Sequence, residues 1–185
     1  MFDREIRPLT GEKVLNVFDF VDMLAGRSYI VYYCGSVTGT PAYILRDHVF
    51  ASNDQYVVHT DGTFTYDFDC AVENSATIQG TALVQHHYGE SGAGGDRNIP
   101  TFTLQRIRNG VATTIGTVTL PDVNTGEATY TGSINCARTK LIPGDTLRLH
   151  LSIEALDSGG VVCRNWFDPD GSYPLKLWVP FRLDI

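Results

Sequence analysis

Asp67 and Asp69 stand two residues apart in FTYDFDC, and on a strand that spacing puts both carboxylates on one face, roughly 7 Å apart. Such a pair could act as the acid and base of a glycosidase. Thr63 and Thr65 share that face, which reads more simply as a solvated outer surface. His86 and His87 are adjacent, so on a strand they point to opposite sides and cannot clamp one metal ion. One is expected at the core edge and the other at the surface.

Ser91 in Gly89-Glu90-Ser91-Gly92-Ala93 resembles part of a nucleophile elbow, but that motif needs Gly where Ala93 stands and a strand-to-helix turn around it. A surface loop is expected instead. Asp168, Asp170 and Gly171 resemble the start of a calcium loop, yet no acidic ligand follows at the required spacing, and a turn is expected. Trp166, Phe167 and Tyr173, with Trp178 on the otherwise polar side of the last strand, are the candidate binding residues. Large aromatics on an outer face could stack on a glycan or fill a protein interface.

These residues need a scaffold, and the stretch LIPGDTLRLHLSIEAL at 141–156 shows its kind. Leu147, Leu149, Leu151, Ile153 and Ala155 alternate with Arg148, His150, Ser152 and Glu154, the period of a half-buried strand. Pro143-Gly144-Asp145 sets a turn before it. A second clean alternation, Leu175, Leu177, Val179, Phe181, Leu183 and Ile185, predicts the last strand, with Pro180 at an edge or at a point paired on one side only. Further strands are predicted at 28–35, 42–50, 77–88, from Phe102 to an Asn109-Gly110 turn, and back through a bulge at Gly116. Asp61-Gly62 between 56–60 and 63–72 predicts a two-residue hairpin.

The chain has 185 residues, enough for one domain, and 18 glycines with few helix-forming runs. Thr10 can cap a helix over about 12–25, where Val14, Val17, Phe18, Val21 and Leu24 form one stripe. Leu15, Phe20 and Met23 lie off that stripe, which marks them as contacts for an assembly partner. The expected organisation is an arm at 1–26 and a β domain at 27–185. With 14 Lys plus Arg against 21 Asp plus Glu, a net charge of -7 and no basic run, nucleic acid is not an expected partner. No apolar run is long enough to span a membrane, and the N-terminus lacks the pattern of a signal peptide. Cys34, Cys70, Cys136 and Cys163 form no CxxC pair and read as buried thiols. No cofactor and no metal are expected.

The pattern LIPGDTLRLHL, preceded by ATYTGSINC and followed by a terminal apolar strand, resembles the Gly-Asp turn of jelly-roll domains of the C1q and tumour-necrosis-factor type. It also resembles the jelly-roll structural proteins of tailed-phage virions. The resemblance implies an all-β, antiparallel two-sheet jelly-roll sandwich with a short N-terminal helix or arm. It further implies a virion structural protein and not an enzyme: a capsid decoration, head-fibre or tail-associated module made in the host cytoplasm. Its partners would be other virion proteins, further copies of itself and a host-surface glycan. A carbohydrate-binding or receptor-binding module is the alternative, and a glycan-active enzyme the next.

Overall fold

The computed structural model describes residues 27–40, 42–90, 97–123, 126–156 and 162–182. The predicted helix at 12–25, the arm residues Leu15, Phe20 and Met23, and Ser91 lie outside them. The described residues form strands β1 (Arg27–Ser36), β2 (Tyr43–Arg46), β3 (Tyr56–His59), β4 (Gly62–Ala71), β5 (Ala76–Glu90) and β6 (Arg97–Arg108). These are followed by β7 (Val111–Thr119), β8 (Gly126–Leu141), β9 (Thr146–Leu156), β10 (Cys163–Trp166) and β11 (Leu175–Arg182). The all-β expectation holds.

The strands form one sheet, not closed on itself, in the order β3-β10-β5-β11-β1-β2-β4-β9-β6-β7, with β8 on the other side of β5. Among the described strands each pairing is antiparallel except the short parallel contact of β2 with β4 at Ile44 and Asp69. The sheet folds over a single apolar core. Leu147, Leu149, Leu151, Ile153 and Ala155 of β9 are all buried, as their alternation requires, and they meet Phe68, Phe102, Ile134, Leu177 and Val179 from other strands. Each such side chain contributes roughly 1.5–3 kcal/mol, so register is pinned by the inward face.

The turns explain the connections. Asn109 and Gly110 both take positive φ, 52° and 76°, which is the left-handed pair that a two-residue β6–β7 hairpin needs. The expected bulge is present, with Leu104 opposite Gly116 and Gln105 opposite Thr114. Gly116 also lets β7 lie close to β8, since a Cβ there would sit 2.5 Å from the Asn135 carbonyl oxygen. Pro180 lies in an interior strand, where the β11–β5 register breaks between Trp178 and Phe181, so pairing there is kept on the β1 side alone. That is the second of the two arrangements its missing N–H allows.

The expected hairpin at Asp61-Gly62 is corrected. β3 pairs with β10, and β4 pairs with β9, so Gly62, at φ 124°, carries the chain from one part of the sheet to another. The reason is energetic: Phe68 of β4 gains the core only beside β9. A local turn signal does not outweigh that burial. None of the four cysteines is in a disulfide; Cys34 and Cys163 are buried, and Cys70 and Cys136 are half-buried.

Candidate functional site

The outer surface of β3, β10, β5 and β8 gathers aromatic, hydroxyl and charged side chains around His87. Cross-strand register does the gathering. Tyr56 lies opposite Trp166 in the β3–β10 pair, and Thr129 lies opposite His87 in the β5–β8 pair. β10 is held beside the end of β5 by the pairs Asn165 with Tyr88 and Arg164 with Gly89. Tyr56, Trp166, His87 and Thr129 therefore form a row running across four strands. In the neighbouring row, Arg164 and Glu127 flank Gly89, and with no side chain between them the guanidinium reaches the carboxylate at 3.1 Å.

His87 is enclosed on its faces and bonded at its edge. Tyr173 stacks on it with ring centroids 3.8 Å apart, and Trp166 meets it edge-on at 5.9 Å. Trp166 in turn packs on Tyr56 at 4.6 Å and on Tyr173 at 5.3 Å. His87 Nδ1 is 2.9 Å from Thr129 Oγ1, while Nε2 lies 3.8 Å from Glu127 Oε2, an ion-pair distance. A proton on Nε2, next to the carboxylate, leaves Nδ1 to accept from the Thr129 hydroxyl. Burial lowers the His87 pKa, opposed in part by Glu127, so the imidazole is neutral at pH 7 and able to take a proton. Thr129 and Tyr173 are exposed, so the cluster opens to solvent.

Beneath it, His86 points into the core and is fully buried. Its Nε2 lies 2.9 Å from Asn165 Oδ1, and Asn165 Nδ2 reaches Asn98 Oδ1 at 3.4 Å. Asn98 Nδ2 donates to the Gly89 carbonyl at 2.8 Å. This polar chain ties β5, β10 and β6 together under the outer site. Burial pushes the His86 pKa down to about 4.

The sequence-derived candidates divide. Trp166 and Tyr173 come together around His87, as an aromatic surface requires. Phe167 does not join them: it is buried against Phe68 and Tyr66 in the core, because the residue after Trp166 faces the opposite way. Trp178 is on β11, opposite Leu83 and so four residues along β5 from the level of His87, and it stands apart from the cluster. Asp168 and Asp170 belong to a turn in which the Asp168 carboxylate folds back over Gly171. Burial and the neighbouring Asp170 raise the Asp168 pKa.

Asp67 and Asp69 share an outer face as expected, but Arg148 bridges them. Its Nη1 donates to Asp67 at 2.7 Å, and its Nε and Nη2 form a two-pronged contact with Asp69 at 2.7 and 2.8 Å. His150 Nδ1 completes the cluster 2.6 Å from Asp67. The space in which a glycosidic bond would lie holds a guanidinium. The pair is a salt-bridge network.

Glu127, Thr129, Arg164 and Tyr56 carry no motif and were not singled out by the sequence. Their neighbourhood depends on the register between β5 and β8, and no spacing along the chain displays it.

In sequence, the chain matches no family model and no curated protein. In structure it is similar to a CocE/NonD family hydrolase from Staphylococcus aureus, at a TM-score of 0.60 and 10% identity, over 85% of this chain and 37% of that one. An alpha-amino acid ester hydrolase aligns at 0.61 and 10% identity, over 83% of this chain and 36% of that one. An aminopeptidase from the marine sediment archaeon Thaumarchaeota archaeon aligns at 0.58 and 7% identity, over 84% and 37%. Identities this low show a shared fold, and the chain spans little more than a third of each of those proteins. Structures of infectious bursal disease virus align at only 0.35 and 0.27, too low to carry an argument. The expectation of a virion structural, non-enzymatic protein is corrected accordingly, together with its glycan-directed alternatives, because the structures that share this fold well are hydrolases. A Gly-Asp turn and alternating strands specify a β architecture, which many functions use.

Proposed function

We propose that this chain is the β domain of a hydrolase acting on ester or amide bonds, with the His87 face as its substrate-contacting site. The observation that carries the reading is the hydroxyl–imidazole–carboxylate series Thr129, His87 and Glu127, set beside the aromatic surface of Trp166, Tyr173 and Tyr56. The hydrolases that share the fold, two of which act on amino-acid esters or on peptides by their names, support the substrate class. We also read the folded-over sheet as a two-layer jelly-roll sandwich, a reading supported by buried side chains of β5, β11, β9 and β6 sharing one core.

The geometry suits acyl transfer. As Thr129 Oγ attacks the substrate carbonyl carbon, its proton passes to His87 Nδ1, and the Glu127 carboxylate stabilises the imidazolium that forms. The tetrahedral adduct collapses with loss of the alcohol or amine, which takes the proton from His87. Water then repeats the sequence on the threonyl ester, releasing the acid and restoring the hydroxyl. Arg164 holds Glu127 in place.

The test is turnover by the full chain on p-nitrophenyl esters and on aminoacyl p-nitroanilides. Wild type is expected to hydrolyse at least one of these classes, and His87→Ala and Thr129→Ala to lose about a hundredfold or more in kcat/KM with the fold retained. A folded wild-type chain without turnover on either class, or a His87→Ala variant with wild-type rates, overturns the proposal.

A further inference from the structure

β3 and β10, four residues each, form a ribbon at one end of the strand order. They pair with each other from Tyr56 opposite Trp166 to His59 opposite Cys163, and the Phe167 N–H donates to the Gln55 carbonyl at 2.8 Å, which closes the ribbon on itself. Its outer side brings Trp166 and Arg164 to His87 and Glu127. Register joins it to the rest of the sheet through three pairs between β10 and β5. Short strands with few ladder bonds to the main sheet are the kind of element that opens before a whole domain does.

Two buried histidines fasten this ribbon from beneath. Under β10, Asn98 Nδ2 donates to the carbonyls of Gly89 and Arg164 at 2.8 and 3.3 Å, and a carbonyl can only accept. The Asn98 amide is thereby oriented, so Asn165 Nδ2 donates to Asn98 Oδ1 at 3.4 Å and Asn165 Oδ1 accepts from His86 Nε2 at 2.9 Å. The neutral His86 ring holds its one proton on Nε2. A second proton would go on Nδ1, which is buried, in a ring stacked with Tyr88 and Phe167 at 5.3 and 6.0 Å. On β3, His59 stacks on Phe64 of β4 with ring centroids 3.9 Å apart, and its Nε2 lies 3.2 Å from the Tyr66 hydroxyl. The ionisable groups around His86 are His87, Tyr88 and Glu90 of β5, Asp168 just after Phe167, and Asp122, which accepts from the Asn98 N–H of β6. Around His59 they are Tyr66 of β4, Cys163 opposite it on β10, and Glu90 opposite Cys163.

We propose that the β3–β10 ribbon is an acid-released flap, latched at neutral pH by the neutral rings of His59 and His86, whose protonation frees it and lifts Trp166 and Arg164 off His87 and Glu127. Burial lowers both histidine pKa values from 6.5 to about 4, in His86 against the Asn165 hydrogen bond. Opening returns each ring to water and to its ordinary value, so each histidine favours the open ribbon by about tenfold per pH unit between the two values. The latch is complete above pH 6.5 and is lost as pH falls from there toward 4. The inference does not rest on the hydrolase reading, because its readout is amide exchange and not turnover.

Hydrogen exchange of the full chain, followed by NMR and corrected for the intrinsic effect of pH, tests the flap. From pH 7 to 4.5 the hydrogen-bonded amides of β3 and β10 are expected to lose at least about a hundredfold in protection, and to regain it on return to pH 7. At pH 4.5 the amides of Leu149 and Leu151 in β9 should remain at least about a hundredfold more protected than the ribbon. His59→Gln and His86→Gln should each shrink the acid effect by about tenfold or more, and the two together should leave less than about fivefold. The wild-type contrast between ribbon and β9 stands even where a variant fails to fold. A ribbon as well protected at pH 4.5 as at pH 7, a ribbon and β9 that lose protection together, or an undiminished acid effect in folded His59→Gln or His86→Gln overturns the proposal.

Discussion

Two outer surfaces of this protein each combine a histidine with acidic and basic side chains, and they have opposite characters. On β4 and β9, Arg148 satisfies Asp67 and Asp69 together and His150 bonds Asp67, so the charges are matched by residues of the same face. On β5, β8 and β10, aromatic rings cover His87, burial keeps it neutral, and its Nδ1 is directed at a hydroxyl. The same kinds of residue make a closed network in one place and a proton acceptor beside an apolar surface in the other. Burial sets the difference, because it penalises the imidazolium and lets neighbouring rings exclude water from one side.

The largest expected effect breaks both surfaces together. Leu149 is fully buried between Arg148 and His150, and Leu149→Asp puts an unpaired carboxylate into the core that both faces share. A loss of several kcal/mol is expected, comparable to the whole stability of a domain, so the variant should fail to give soluble folded protein. Circular dichroism and solution size check this.

Acid separates the layers of the His87 side. The His86 pKa falls from an ordinary 6.5 to about 4 on folding, so the native state favours the neutral ring. That contribution is complete above pH 6.5 and is lost as pH falls from there to about 4, because the unfolded chain takes up the proton first. The loss amounts to roughly 3 kcal/mol, or roughly 6–12 °C in Tm. Asp145 acts lower on the scale: its hydrogen bonds from Arg108 hold its pKa at about 2, so its contribution is present above about 3.8 and disappears between there and about 2. A melting series in pH should show both stages, with the upper one reduced but not abolished in His86→Gln, because burial also lowers the pKa of His59 to about 4 and lowers that of His87.

Smaller effects test the closed network. Arg148→Ala leaves two neighbouring carboxylates without their guanidinium and should cost about 1–2 kcal/mol by urea unfolding. Arg148→Lys should recover only part of that, because an ammonium cannot reproduce the two-pronged contact with Asp69. His150→Ala removes one part-exposed contact and should cost less than about 1 kcal/mol. Asp67→Asn should leave catalysis unchanged.

What could be read from the sequence follows the range of each signal. The period-two faces of β9 and of β11 from Leu175 to Phe181 and the Asn109-Gly110 turn are local, and they emerge as expected, while Leu183 and Ile185 lie outside the described residues. The inward set Ile78, Ala82, Val84, His86 and Tyr88 likewise proves fully buried, although His86 needs Asn165 to be tolerated there. The Asp61-Gly62 hairpin fails because strand partners are chosen by the core and not by the turn. Trp166 and Tyr173 were legible as exposed aromatics, but parity assigns Phe167 to the interior, and a sequence segment of uncertain register does not display parity. Arg148 was visible on the face of Asp67 and Asp69 only once β4 and β9 were known to be partners. Thr129 and Glu127 were silent, since one β-strand threonine or glutamate resembles any other until it lies beside His87.

The measurement that bears most directly on the distinction between the two faces is the pH dependence of kcat/KM for ester hydrolysis, in wild type, His87→Ala and Asp67→Asn. If His87 is the base, activity rises with pH along a limb whose midpoint lies below the ordinary histidine value of 6.5, in the direction that its burial dictates. Asp67→Asn should keep that limb, and His87→Ala should lose it along with most of the rate. A limb unchanged in His87→Ala, or one abolished by Asp67→Asn, would contradict the account and place the chemistry on the face assigned here to structure.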